Sequence, residues 1–246
     1  MDISVVVPTL KRREDIEVIR HLERGESEDY EVLIQDEYPV TRARNAGAKA
    51  ARADKIVFLD DDSQPREDYL TRVSKALDTE DALVGRTIHP RNDVFASELT
   101  SHYDFGDKPR YVKQFWGCNM AIRKEILNAV GGWDENMGWG HEEKELADRV
   151  VEKYRIYYDP EAVVYHPYAD SVFDYWKKQY KLEKQTPYYW DKKAIPAKQQ
   201  LLRVFKRAAN PFRYVRRTPK LTVAKSGGTL ASTMGRLVGI ASRHLR

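Results

Sequence analysis

Cysteine is almost absent from the sequence, and long apolar segments are absent altogether. The single cysteine, Cys118, excludes an internal disulfide and a metal site made of cysteines alone, and we interpret it as a small packed residue. No stretch reaches the roughly 18 uninterrupted apolar residues that a transmembrane helix requires. The chain enters an apolar run at Ile3 without a basic leader or a cleavage site, which is not the pattern of a signal peptide. We therefore expect a cytoplasmic protein.

Charge is unevenly distributed along the chain. Residues 170–246 contain 18 Lys and Arg against 4 Asp and Glu, a net charge of +14, whereas residues 1–169 carry a net charge of −10. A length of 246 residues with 41% hydrophobic residues suffices for one core with an appendage. These features predict one α/β domain over residues 1–169 and a basic, largely helical extension over residues 170–246. The basic extension indicates an anionic partner.

Apolar, β-branched runs alternate with segments of helical periodicity. Predicted strands cover residues 3–7, 32–34, 55–59, 82–85, 120–122 and 162–165. Predicted helices cover residues 13–23, 44–53, 66–77, 124–130 and 142–153. Residues 90–113 are aromatic and polar without clear periodicity and are predicted to be mostly loop. Strands that alternate with helices imply a mostly parallel sheet with right-handed crossovers.

Three consecutive acids, Asp60, Asp61 and Asp62, follow the apolar strand at residues 55–59. The carboxyl end of such a strand is the edge where α/β sheets bind ligands. Asp60 and Asp62 offer the hard oxygen ligands that Mg²⁺ or Mn²⁺ prefers. A solvated acidic turn before Ser63 is the alternative interpretation, because adjacent carboxylates repel one another.

Several segments, in this order, resemble the family-2 inverting glycosyltransferases, whose catalytic domain has the GT-A fold. The segments are the opening strand with Pro8-Thr9, Ala43-Arg44-Asn45-Ala46-Gly47, Phe58-Leu59-Asp60-Asp61-Asp62, Gly117-Cys118-Asn119-Met120-Ala121-Ile122-Arg123-Lys124, Gly131-Gly132-Trp133-Asp134-Glu135, Trp139-Gly140-His141-Glu142-Glu143 and Val164-Tyr165-His166. Each is weak alone, but their order is specific. The resemblance implies a Rossmann-like, mostly parallel sheet flanked by helices. It also implies transfer of a sugar from a nucleotide-diphosphate sugar, with a UDP-sugar favoured, to a hydroxyl of a saccharide or lipid-linked acceptor in glycan biosynthesis.

The resemblance assigns the donor site to the ends of the first strands and to the segment after the second. Pro8, Thr9 and Asp36 would hold the base and ribose, although the turn at Asp36 lacks the glycines common in the family, so an exposed acid in a turn is the alternative. Arg44 and Asn45 would open a helix near the diphosphate, where backbone N–H groups and a guanidinium meet phosphate oxygens. A simple helix cap is the alternative for Asn45.

Metal ligands are implied at three positions. Asp60 and Asp62 match the first and third positions of the family's Asp-any-Asp motif, with Asp60 and Asp61 also assigned to the donor. His166, which follows the last predicted strand, matches a late histidine that serves some relatives as a further ligand; a loop histidine without a ligand role is the alternative. Mn²⁺ or Mg²⁺ is therefore the expected cofactor.

The catalytic carboxylates are expected at Glu142 and Glu143. Inverting transfer needs a general base for the acceptor hydroxyl, and we assign this role to Glu143, where the family has Asp, with Glu142 binding acceptor hydroxyls. Acids favoured by the dipole at a helix start are the alternative. Asn119 and Trp139 are further acceptor-binding candidates. Three tryptophans lie near these carboxylates in the sequence, namely Trp116, Trp133 and Trp139. They either stack on sugars or fill the core.

Two basic amphipathic helices are predicted in the extension, one from Pro196 to Asn210 and one from Leu230 to Leu245. Such helices suit the surface of an anionic membrane, here its inner face, and packing on the acidic domain is the alternative. No nucleic-acid-binding module is present, so we expect no nucleic-acid partner.

Two other functions compete with a metal-dependent inverting glycosyltransferase. A catalytically silent relative that acts as a binding or assembly partner is suggested by Glu143 in place of Asp. A sugar nucleotidyltransferase would need a glycine-rich basic loop after Val7, which the sequence lacks.

Overall fold

The computed structural model describes residues 1–27, 29–91, 93, 96, 98–99, 101–214 and 218–244. Within these residues the strands are β1 (Ile3–Pro8), β2 (Tyr30–Gln35), β3 (Lys55–Phe58), β4 (Gln64–Pro65), β5 (Ala82–Ile88), β6 (Arg110–Val112), β7 (Met120–Arg123) and β8 (Ile156–Tyr165). The α-helices of the same ranges are α1 (Glu17–Leu22), α2 (Val40–Ala50), α3 (Tyr69–Leu77), α4 (Lys124–Ala129), α5 (Glu142–Val150), α6 (Val172–Lys184), α7 (Thr186–Lys192), α8 (Ala197–Ala208) and α9 (Pro219–His244).

The eight strands of the described residues form one sheet in the order β2-β1-β3-β7-β5-β8-β4, with β6 also paired to β8. β1, β2 and β3 are parallel, and β5 is parallel to β8. β7 runs antiparallel between β3 and β5, and β4 and β6 are antiparallel to β8. The predicted mostly parallel sheet flanked by helices is confirmed, with β4, β6 and β7 as its reversed strands.

The sheet separates two apolar layers, because successive residues of a strand face opposite sides. Val6 and Phe58 belong to a layer completed by α2, α4 and α5. Val5 and Val57 belong to a layer completed by α1 and α3. Helices therefore cover both faces, and polar side chains collect at the strand ends.

The C-terminal helices pack tightly against one another. A Cβ at Gly227 of α9 would lie 2.1 Å from Cε2 of Trp176, and a Cβ at Gly235 would lie 2.4 Å from the carbonyl oxygen of Tyr180. Only glycine permits this approach of α9 to α6. The sequence predicted α8 but missed α6 and α7, and α9 begins at Pro219 rather than near Leu230. Across the described residues, no helix combines the length and the hydropathy needed to cross a membrane.

Candidate active site

A cavity of about 860 Å³ opens at the carboxyl edge of the sheet. Its wall is formed by segments that follow β1, β2, β3 and β8, by the start of α5 and by one face of α6. In α/β sheets ligands bind at this edge. Most of the predicted site residues lie in this wall, namely Pro8, Thr9, Asp36, Arg44, Asp60, Asp61, Asp62, Trp139, Glu142, Glu143 and His166.

The end of β3 and the end of β8 bring two aspartates to one histidine. The backbone N–H of His166 donates to the carbonyl of Ile88 at 2.9 Å, which fixes the turn after β8. Nε2 of His166 then lies 3.0 Å from Oδ1 of Asp62 and 3.5 Å from Oδ2 of Asp60. This contact unites the two halves of the predicted metal site.

The ionisation of this cluster reflects both burial and its charges. Burial acts to lower the pKa of His166, but Cys118 and the two aspartates raise it well above its ordinary value. Burial acts to raise the pKa of Asp62, yet the hydrogen bond from His166 holds that pKa below its ordinary value. Burial raises the pKa of Asp60, with Arg44 and His166 opposing the rise.

The donor atoms of this cluster fit a divalent cation. Ligand atoms of Asp60, Cys118 and His166 all lie within 4.8 Å of one another. His166 is 8% exposed, and its Nδ1 is a buried nitrogen without a hydrogen-bond partner among the described residues. Carboxylate oxygens are hard donors, the imidazole nitrogen is intermediate, and the adjacent thiol is a softer donor. Cys118 is packed as expected, but no sequence pattern predicted its position beside the aspartates.

Arg44 connects the acidic cluster with the carboxylates of α5. Its side chain is buried, with Nη1 donating to Glu142 at 3.0 Å and Nη2 lying 3.4 Å from Asp60. The guanidinium stacks on the ring of Trp133 at 4.6 Å, which places that tryptophan in the core rather than in a sugar site. The expectation that Arg44 opens a helix is wrong, because α2 already begins at Val40. An anion at this position would therefore be bound by the guanidinium and not by the free backbone N–H groups of a helix start.

The two glutamates at the start of α5 have different environments. Glu142 is 4% exposed, pairs with Arg44 and accepts the backbone N–H of Gly140 at 2.5 Å. Glu143 lies in the cavity wall and is half-buried. Burial raises the pKa of Glu143 well above its ordinary value, and the charge of Glu142 adds to the rise. A carboxylate with a raised pKa is a stronger base than an ordinary glutamate, which suits Glu143 for proton abstraction.

Two predicted ligand-binding residues do not face the cavity. Asn45 bonds the loop before α5, accepting the N–H of Trp133 at 2.8 Å and donating to its carbonyl at 2.9 Å. Asn119 is fully buried; it accepts from the Tyr69 hydroxyl at 2.9 Å and donates to two strand carbonyls. These hydrogen bonds occupy both side chains, so the assignments of Asn45 to the donor and Asn119 to the acceptor are corrected. The predicted helix-cap alternative for Asn45 is also wrong, because it lies mid-helix.

The loop after β1 carries a residue that the sequence did not single out. Nζ of Lys11 lies 2.7 Å from Oδ1 of Asp61, and the Thr9 hydroxyl donates to the same carboxylate. This pairing neutralises one of the three acids. It also fixes the position of Asp61 beside the loop that was assigned to the donor.

The C-terminal extension forms part of the site. His141, the residue before α5, has a left-handed backbone with φ 66°. Its Nε2 lies 2.9 Å from Oγ1 of Thr186 and 3.7 Å from Glu183, which is itself bonded at 2.7 Å by Arg236 of α9. Thus residues up to 95 positions apart, from His141 to Arg236, brace the turn that leads into Glu142. Sequence patterns gave no indication of this network, because only His141 belongs to a motif, and Thr186, Glu183 and Arg236 lie in the extension.

Comparisons with known proteins find glycosyltransferases. Residues 17–131 match the model of Glycosyl transferase family 2. The chain is 26% identical over 168 residues to "Glucosyl-dolichyl phosphate glucuronosyltransferase" of Haloferax volcanii, which covers 61% of this chain and 54% of that protein. The chain therefore spans about half of the length of this relative.

Solved structures share the fold. "Mannosyltransferase PcManGT from Pyrobaculum calidifontis in complex with GDP-Man and Mn2+" aligns with a TM-score of 0.54 at 17% identity, covering 99% of this chain and 74% of that one. GalNAc-T7 with UDP, GalNAc and Mn2+ aligns with a TM-score of 0.53 at 13% identity, covering 68% of this chain and 44% of that one. The match over residues 17–131 supports a family-2 glycosyltransferase, and the likeness to the solved structures shows the GT-A fold.

Proposed function

We propose that this chain is a metal-dependent, inverting glycosyltransferase that moves a sugar from a nucleotide-diphosphate sugar to a hydroxyl of a saccharide or lipid-linked acceptor. The proposal rests on the presence of a metal-binding cluster and a basic carboxylate in one cavity. A cluster suited to a divalent cation, formed by Asp60, Asp62 and His166, lines the same cavity as Glu143, a carboxylate whose pKa is raised. Metal-assisted departure of a diphosphate and deprotonation of a hydroxyl need these two groups together.

Glu143 acts as the general base in this proposal. Its carboxylate takes the proton of the acceptor hydroxyl while that oxygen attacks the anomeric carbon, on the face opposite the departing nucleoside diphosphate. Glu142, held by Arg44 and by the N–H of Gly140, is not free to accept the same proton. We assign Glu142 instead to orienting acceptor hydroxyls and to holding Arg44.

Asp60, Asp62 and His166 would hold Mn²⁺ or Mg²⁺, with Cys118 next to them. When bound, such a cation neutralises charge on the diphosphate leaving group. Arg44 adds a positive charge that does not depend on the metal, since its guanidinium lies 3.4 Å from Asp60. The combination explains why a buried arginine is present in a site with many carboxylates.

The donor is assigned to the side of the cavity formed by Pro8, Thr9 and Asp36. A carboxylate such as Asp36 accepts the N–H of uracil, which favours a UDP-sugar. The solved neighbours bind either UDP or GDP-Man, so both bases belong in a donor test. A lipid-linked acceptor is supported by the curated relative, whose name includes a dolichyl phosphate.

We also propose that the extension rests on an anionic membrane surface, which would place the enzyme on the inner face of a cytoplasmic membrane. The outer face of α9 is apolar: Val223, Leu230, Met234 and Val238 recur at helical spacing and are 57%, 58%, 62% and 36% exposed. Basic residues of α8 and the net charge of +14 supply attraction to anionic lipid. Packing of α9 on α6 and contact with lipid use different faces of the helix, so both can hold.

Nucleotide release from a panel of UDP- and GDP-sugars, measured with Mn²⁺ and with EDTA, tests the proposal. We expect release with at least one donor, stimulated by an acceptor and abolished by EDTA. Absence of release with every donor, with and without lipid-linked acceptors, would favour the catalytically silent relative that Glu143 in place of Asp suggests.

A further inference from the structure

Four lysines line the cavity on the side of the proposed base. Lys178, Lys181 and Lys184 follow one another at intervals of three residues along α6, and Lys144 lies just after Glu143 on α5. Residues three or four apart share a face of a helix, so part of α6 turns ammonium groups toward the cavity. The three lysines of α6 had no predicted role, because α6 itself was not predicted.

The lysines differ in how far they are already engaged. Nζ of Lys178 donates to the carbonyl of Tyr168 at 2.6 Å and lies 3.4 Å from Asp174. Lys181 and Lys184 are exposed, and neither has a carboxylate within 4.0 Å among the described residues. Two ammonium groups without a counter-charge at the mouth of a cavity provide attraction for an anion.

The position of α6 assigns that anion to the acceptor rather than to the donor. α6 packs against the turn before the two glutamates: a Cβ at Gly140 would lie 2.9 Å from Cα of Leu182, and one at Gly138 would lie 3.1 Å from Nε2 of Gln185. The groups proposed for the donor come instead from the ends of β1, β2 and β3. A molecule that reaches Glu143 from the side of α6 therefore passes the lysines first.

We propose that the acceptor carries a phosphate or diphosphate group, and that Lys181 and Lys184 bind it while the acceptor hydroxyl lies at Glu143. This inference rests on the proposed function and specifies its acceptor class. The ammonium groups act as charged hydrogen-bond donors to phosphate oxygens, which are strong acceptors. The phosphate can belong to a lipid-linked sugar or to a soluble sugar phosphate, since the lysines recognise the anion itself.

Equilibrium dialysis of radiolabelled geranyl diphosphate against the full chain in EDTA tests the inference. EDTA removes divalent cations, so the acidic cluster cannot hold the probe through a metal. The test variant is Lys181→Gln with Lys184→Gln, and the matched control is Lys75→Gln with Lys153→Gln, two exposed lysines outside the cavity wall. All four positions are on the surface, and circular dichroism checks that both variants fold.

We expect the cavity variant to bind geranyl diphosphate about tenfold more weakly than the wild type, because two charge-assisted contacts are lost, and the control to bind as the wild type does. Binding by Lys181→Gln with Lys184→Gln as tight as that of the wild type would overturn the proposal. An equal loss of affinity in the test and control variants would also overturn it, because only the net charge of the protein would then matter. Unlabelled competitors identify the source of the anion. Competition by inorganic diphosphate as strong as by geranyl diphosphate supports a soluble phosphate, and much weaker competition supports a lipid-linked one.

Competition by neutral octyl glucoside as strong as by unlabelled geranyl diphosphate would also overturn the proposal, since the site would then not recognise an anion. Binding of UDP with Mn²⁺ to the wild type, measured separately, belongs to the proposed function. If UDP binds and geranyl diphosphate does not, the acceptor class is wrong while the proposed function stands.

Discussion

Replacing Glu183 with glutamine should destabilise the protein, and the effect should depend on pH. The Glu183 side chain is 5% exposed and lies 2.7 Å from Nη2 of Arg236, with a further hydrogen bond from Thr186. Although burial acts to raise the pKa of Glu183, its bonds to His141 and Arg236 lower that pKa from 4.5 to about 2. A shift of this size corresponds to roughly 3 kcal/mol of stability at neutral pH.

The sign follows from the lowered pKa. The stabilisation by Glu183 is complete above the pKa of the unfolded chain and is lost as the pH falls toward the pKa of the folded state. Glu183→Gln should therefore lower the free energy of unfolding by about 3 kcal/mol at pH 7, and by only about half as much near pH 3. Urea denaturation at both pH values measures the difference.

Asp191→Asn provides the control. Asp191 of α7 pairs with Arg243, which lies on α9 as Arg236 does. The Asp191 side chain is 47% exposed, so the loss of its charge should cost less than about 1 kcal/mol. If Glu183→Gln costs no more than Asp191→Asn at pH 7, or if its cost is the same at both pH values, Glu183 is not a buried, ionised link between the extension and the turn at His141.

Three further predictions concern the metal, the turn and the membrane. Asp62→Asn should abolish Mn²⁺-stimulated turnover while circular dichroism shows that the variant is folded, and unchanged turnover at limiting Mn²⁺ would contradict the ligand assignment. Gly140→Ala should destabilise the protein by roughly 1–3 kcal/mol in urea unfolding and lower turnover, because φ is +117° and the new methyl group would meet Leu182. Leu230→Ser with Met234→Ser should leave the melting temperature unchanged but weaken co-sedimentation with anionic vesicles. Salt should weaken the binding of the wild type to these vesicles, and a wild type that does not bind them at low salt would refute the membrane proposal.

The sequence predicted the parts of the fold that follow from local pattern. The apolar run at residues 55–59 ends in Asp60–Asp62, and β3 ends there because carboxylates cannot continue a buried strand. The position of Arg44 within its helix was wrong by one turn, because residues 40–43 carry no clear start signal and the helix boundary is set by packing on β1 and β2. Boundaries of this kind depend on tertiary contacts.

The remaining errors share one cause, which is separation along the chain. The contact between His141 and Glu183 spans 42 positions, and no spacing rule connects the two residues. Asn119 lies in a family motif, and yet the structure uses its amide to join Tyr69 to the sheet. A motif indicates that a residue matters without telling whether it contacts a ligand or supports the strand beneath it.

The measurement that tests the central claim most directly is the turnover of Glu143→Gln and Glu142→Gln with the active donor and Mn²⁺. A general base contributes about 10²–10⁴-fold to the rate, so Glu143→Gln should lose turnover by that factor while the affinity for the nucleotide changes little. Glu142→Gln should raise the acceptor KM at least as much as it lowers kcat. Wild-type turnover should also rise with pH through an apparent pKa above that of an ordinary glutamate, because the pKa of Glu143 is raised. An active Glu143→Gln together with an inactive Glu142→Gln would contradict the assignment of the base.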